Sequence, residues 1–193
     1  KRLAIAAATA LLALFIDSAA FFPVKRQVVC ISRQSDDAPI DFLLLKEELS
    51  REERYRTVIL ANKLESPLRY VPSWPNKFLH ATSRAIILDS YCIAVSLLGE
   101  RIKAPVVQIW HALGNMKKFG YAALDTPEGH SSETARLMHM HEGYDAVAVR
   151  HYFRDDLAAG FNVDPSIVFE APFPVDLLRD PQFRSEQRDA FLQ

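Results

Sequence analysis

Apolar residues fall along this chain in short runs separated by longer stretches of mixed character. Residues 27–32 (Gln-Val-Val-Cys-Ile-Ser), 55–61, 85–88, 106–110, 145–149 and 167–169 are runs rich in Val and Ile, as buried strands are. Between them the spacing turns helical. Pro39 opens a helix whose apolar positions over 41–49 share one face. Ser131 or Ser132 caps another over 133–141, and residues 151–159 form a third with Gly160 as its stop. Strands alternating with helices predict an α/β fold, a Rossmann-like parallel sheet with helices on both faces. No G-x-G-x-x-G follows the first strand, so the usual dinucleotide fingerprint is absent.

Three stretches depart from the alternation. Residues 1–26 are apolar and alanine-rich, interrupted by Asp17 and Ser18. No convincing cleavage site supports a signal peptide. Asp17 breaks the roughly 20-residue apolar run that a spanning helix needs. Two readings remain open: a helix packed on its own domain, or one lying on a membrane surface with Lys25 and Arg26 at the headgroups. Residues 64–76 hold Pro67, Pro72 and Pro75 and read as irregular or as a short helix. Pro172, Pro174 and Pro181 break the chain before a charged tail over 183–192. The expected organisation is an apolar helical segment over 1–26, a Rossmann-like domain over 27–180, and the start of a linker or helix over 181–193.

Composition narrows the function classes. The chain has 193 residues and a net charge of −1, so no global field points to nucleic acid, and any anion site must be local. Cys30 and Cys92 sit in or near apolar runs and read as reduced core residues, not a disulfide. No Walker loop, G-x-S-x-G elbow or H-E-x-x-H occurs. His139 and His141 stand at i and i+2, which share no helix face, so no metal site is expected. Met138 and Met140 read as core, and His80 and His151 as capping or surface groups.

The chemistry concentrates after the fourth strand. His111 is the first residue out of it, and Gly114 and Gly120 bracket Lys117 and Lys118. Ligands of open α/β sheets bind beyond the carboxyl ends of strands. Imidazole changes charge near neutral pH and can take a proton from a hydroxyl, while lysines suit phosphate oxygens. Read bare, a histidine in this position is more often a structural hydrogen-bonder than a catalyst, and a lysine pair more often a solvated surface than an anion site. Asp89 closes the third strand and either caps the next turn or joins the same site.

Trp110-His111-Ala112, a glycine shortly after, and Lys117-Lys118-Phe119-Gly120-Tyr121 resemble the signature of the CDP-glycerol/CDP-ribitol polyolphosphotransferase family of teichoic acid synthesis. Val28-Val29-Cys30-Ile31-Ser32-Arg33-Gln34-Ser35-Asp36 is similar to its first strand and loop. Ile86-Ile87-Leu88-Asp89-Ser90-Tyr91, Tyr144-Asp145-Ala146-Val147-Ala148-Val149 and Pro174-Val175-Asp176-Leu177-Leu178 are similar to later landmarks. Leu113 stands where the family usually has glycine or alanine, and the arginine usual before Asp176 is missing. The resemblance implies the first, acceptor-side half of a GT-B transferase, with a C-terminal donor-binding domain to follow. It implies a CDP-polyol donor, a prenyl-diphosphate-linked acceptor, no cofactor, and a place on the cytoplasmic face of the membrane. His111 would be the general base, with Gly114, Lys117, Lys118 and Asp89 holding acceptor or phosphate. The alternatives are a non-catalytic Rossmann-like module that docks a membrane or partner, and half of a sugar-nucleotide glycosyltransferase.

Overall fold

The computed structural model describes residues 2–19, 21–51, 55–63, 82–110, 118–149, 154–171 and 181. Six strands carry the fold: β1 (Gln27–Ser32), β2 (Arg56–Ala61), β3 (Ala85–Leu88), β4 (Val106–Gln108), β5 (Ala146–Val149) and β6 (Val168–Glu170). All pair in parallel, in the order β2-β1-β3-β4-β5-β6. The helices are α1 (Arg2–Ala19), α2 (Ile40–Arg51), α3 (Ile93–Leu98), α4 (Ser132–Leu137) and α5 (Arg154–Phe161).

Strand β1 is buried at every position, as a central strand covered on both faces must be. Its side chains alternate between two cores. Val29 and Ile31 join Ile86, Leu88, Val106 and Val147 under α3 and α5. Val28 and Cys30 meet Phe42 of α2 on the opposite face. This is the expected α/β arrangement. Cys30 and Cys92 are both buried and unbridged, and burial pushes the Cys30 thiol up to about 12.

Helix α1 packs on its own domain. Leu12 and Ile16 bury themselves against Leu98, and Asp17 pairs with Arg101 at 2.8 Å. Both partners of that pair are half exposed, so it adds at most about 1 kcal/mol. The outward side of this region stays apolar: Leu3 is 85% exposed, Leu14 67% and Phe21 90%. No helix among the described residues is long and apolar enough to cross a membrane.

Local expectations shift at three places. Helix α4 stops at Leu137, short of 141, because His139 (φ 47°), His141 (φ 63°) and Gly143 (φ 84°) take left-handed backbone. Ser131 caps it, accepting from the Thr134 N–H. Gly160 lies inside α5 and does not end it. Asn162, at φ 54°, takes the left-handed position just beyond the last turn. Strand β4 closes at Gln108, and Trp110 already has φ 61°. The polar stretch 125–132 is closed on itself: the Asp125 N–H donates to the His130 carbonyl at 2.9 Å, and Asp125 Oδ1 accepts the Ser132 N–H at 2.9 Å.

Candidate active site

The order β2-β1-β3-β4 puts the point where the chain reverses its direction of travel between β1 and β3. In open sheets, ligands bind outside the carboxyl ends of the strands at such a point. A cavity of about 340 Å³ opens there. Three stretches of its lining come from three different strand ends. Arg33 and Gln34 leave β1, Ser90 and Tyr91 leave β3, and Trp110 leaves β4. Lys118, Phe119 and Gly120 form another wall, and the 125–132 turn supplies Glu128 and His130.

One buried amide ties the walls together. Gln108 is wholly buried. Its Oε1 accepts the Trp110 N–H at 3.0 Å, while its Nε2 donates to the Ser90 carbonyl (3.3 Å) and the Tyr144 hydroxyl (3.2 Å). Tyr144 Oη lies 3.0 Å from His141 Nδ1. Because Gln108 Nε2 can only donate, the Tyr144 proton goes to His141 Nδ1, and His141 carries its own proton on Nε2. Burial, reinforced by the nearby His130, lowers the His141 pKa to about 4, so this imidazole is neutral. Burial holds the Tyr144 and Tyr91 phenols well above their usual range.

The aromatic wall is close-packed. Phe119 stacks on Trp110 at 4.5 Å and meets Phe161 edge-on at 5.1 Å. Glycines make this approach possible. A Cβ on Gly160 would stand 2.4 Å from Phe119 Cζ, and one on Gly120 would stand 2.1 Å from the Gly160 carbonyl oxygen.

Arg33 is latched to the β3 loop. Its backbone N–H donates to Ser90 Oγ at 3.1 Å, its Nη1 donates to the Tyr91 carbonyl, and its guanidinium carbon lies 5.7 Å from the Tyr91 ring centroid.

Of the residues expected from sequence, Lys118 lines the cavity with its side chain exposed. Asp89 lies behind the wall, 3% exposed, while its neighbours Ser90 and Tyr91 face the cavity. His111, Gly114 and Lys117 lie outside the described residues, as do His80, His151 and Asp176. His139 pairs with Glu142 at 2.8 Å on the surface, apart from buried His141. No group of three His, Cys, Asp or Glu side chains among the described residues could hold a metal ion.

Sequence reasoning did not single out Arg33, Gln108 or His141 as site residues. A polar side chain between Val107 and Ile109 was the visible sign of Gln108. Arg33 stood in plain view as the first residue beyond a strand. Nothing local marks His141, which packs against Tyr144 and Phe161.

No family model matches the chain. Individual relatives do. A teichoic acid ribitol-phosphate primase of Bacillus spizizenii is 30% identical over 136 residues, 67% of this chain and 35% of the relative. A teichoic acid poly(ribitol-phosphate) polymerase of the same organism is 29% identical over 175 residues, 89% of this chain and 27% of the relative. A teichoic acid glycerol-phosphate primase of Bacillus subtilis is 25% identical over 112 residues, 58% of this chain and 29% of the relative. The chain thus spans about a third of the length of these relatives. Among solved structures, the wall teichoic acid polymerase TagF superimposes with a TM-score of 0.60 at 14% identity, covering 94% of this chain and 46% of that one. A variant of it reaches 0.61 over 86% and 42%. At that identity the match shows a shared α/β fold, and the sequence relatives supply the rest. The chain belongs to the teichoic acid polyolphosphotransferase family.

Proposed function

We propose that this chain forms the acceptor-side part of an enzyme that transfers glycerol phosphate or ribitol phosphate from a CDP-linked donor to a hydroxyl of a lipid-linked acceptor, in teichoic-acid-type polymer synthesis. The observation that carries the reading is the cavity at the β1/β3 reversal, whose walls hold Lys118 and end at Trp110, the residue before His111. The named activities of the primase and polymerase relatives support it.

In the proposed reaction the acceptor oxygen forms a bond to the β-phosphorus of the CDP-polyol. The bond from that phosphorus to the bridging oxygen breaks, and CMP leaves with the electron pair. His111 takes the proton of the attacking hydroxyl as general base. Lys117 and Lys118, with backbone N–H groups near Gly114, offset phosphate charge during transfer. Asp89 contributes from behind the wall, shaping the loop that presents Ser90 and Tyr91. The CDP-linked donor is met by a second domain facing this edge of the sheet.

The acceptor's lipid places the enzyme at the inner face of the membrane. Leu3, Leu11 and Leu14 of α1 and the following Phe21, Phe22 and Val24 are exposed, beside Lys25 and Arg26. Apolar side chains flanked by cations suit an anionic interface. Replacing Phe21 and Phe22 with Ser should weaken sedimentation with phosphatidylglycerol vesicles, and unchanged sedimentation would remove this surface from the account.

The reaction is tested by incubating the full-length protein with CDP-glycerol or CDP-ribitol and a prenyl-diphosphate-linked acceptor. CMP release that depends on the acceptor supports the reading. Release without acceptor, or none from either donor, contradicts it.

A further inference from the structure

Arg33 carries more donor capacity than its surroundings use. Its Nε is shut off from solvent and has no hydrogen-bond acceptor among the described residues. The ion pairs between described residues join Arg51 with Glu47 and Glu48, Arg101 with Asp17, and His139 with Glu142; Arg33 takes part in none of them. A partly buried guanidinium with no carboxylate in ion-pair range among the described residues is costly unless an anion completes it.

The geometry is also pre-arranged. Ser90 Oγ fixes the Arg33 backbone, and the Tyr91 carbonyl and the Tyr91 ring hold its guanidinium. Little side-chain freedom is left to lose when a ligand arrives. Lys118 brings a second cation to the same cavity from a different loop. A planar guanidinium matches phosphate oxygens through paired N–H donors, and an ammonium adds a point charge. Gln34, Glu128 and His130 line the same space and can meet hydroxyl groups as donors or acceptors. Glu128 disfavours an anion immediately beside it, so the phosphate end belongs on the Arg33 side.

We infer that the cavity is a binding site for a phosphate ester with a hydroxylated arm, with Arg33 and Lys118 holding the phosphate and Gln34 and Glu128 meeting the hydroxyls. Assigning that ester to the terminal unit of the acceptor rests on the function proposed above. The anion site itself does not.

The experiment is calorimetric titration of the full-length protein with glycerol 3-phosphate, inorganic phosphate and glycerol. The ester binds wild type, and its affinity falls at least tenfold in Arg33→Gln and several-fold in Lys118→Gln. Arg33→Lys recovers part of the loss, and glycerol gives no signal. Equal ester affinity in wild type and a folded Arg33→Gln protein overturns the site. Should Arg33→Gln fail to fold, Lys118→Gln decides, because its exposed side chain supports no core: unchanged affinity there overturns the site equally. A wild type that binds the ester but never releases CMP overturns the proposed transfer and leaves the site standing. CMP release with an unchanged acceptor KM and unchanged ester affinity in Arg33→Gln overturns the site and leaves the transfer.

Discussion

Replacing Gly160 with alanine tests whether the aromatic wall is held in place by contact between α5 and Phe119. In an ordinary exposed helix position this change stabilises, by about 1 kcal/mol from propensity. Here the new methyl would stand 2.4, 2.7 and 2.8 Å from three Phe119 ring atoms. Non-bonded carbons rest at about 3.5–4.0 Å, so the ring must retreat by about 1 Å. Three sides are closed, since Trp110 stacks on it and Phe161 and His141 meet it edge-on, so the ring can retreat only toward the cavity it lines. Overpacking of a well-packed contact costs about 1–3 kcal/mol, which cancels or outweighs the propensity gain. The net loss is therefore about 0–2 kcal/mol, or up to roughly 8 °C in Tm for a chain of this size. Thermal unfolding followed by far-UV circular dichroism reads it. Titration with glycerol 3-phosphate should show weakened binding as the wall shifts. A Gly160→Ala protein with a raised Tm would refute the reasoning, because propensity alone would then account for the position.

Gly120→Ala should be worse, since its Cβ would meet a backbone oxygen at 2.1 Å and its φ is +55°; soluble yield and denaturant midpoint should both drop well below those of Gly160→Ala. Gln108→Leu keeps the volume but removes the acceptor of the Trp110 N–H and the donor to the Ser90 carbonyl and the Tyr144 hydroxyl, and should cost about 2–3 kcal/mol in urea unfolding; a loss under 0.5 kcal/mol, roughly the range of a neutral surface change, would show the network is not structural. His141 gives a pH signature. Its folded pKa of about 4 lies below the ordinary 6.5, so the unfolded chain binds the extra proton and stability falls as pH drops from about 6.5 to about 4. The full loss is about 3 kcal/mol at about 1.4 kcal/mol per pH unit, and His141→Phe should flatten that limb of the stability curve.

The sheet was legible because parallel strands buried on both faces read as unbroken apolar runs. Residues 27–32 and 85–88 announce themselves that way. The site was legible only by its address. His111 and the lysine pair were found because they follow a strand, and Lys118 does line the cavity. What joins the walls was not readable. Gln108 matters through Ser90, Trp110 and Tyr144, which meet only once β3, β4 and the approach to β5 are aligned. Gly160 read as a helix stop because glycine commonly is one, whereas here it makes room for a ring from a distant loop. The helix over 133–141 was overextended because nothing in its apolar spacing shows that two histidines take left-handed backbone.

The most direct test of the central claim compares wild type with His111→Ala, both full-length, for acceptor-dependent CMP release from CDP-glycerol and CDP-ribitol. The account predicts release by wild type from one of the two donors. It also predicts a loss of at least about a hundredfold in the variant, the usual worth of a positioned general base. Release that survives the substitution undiminished would contradict it.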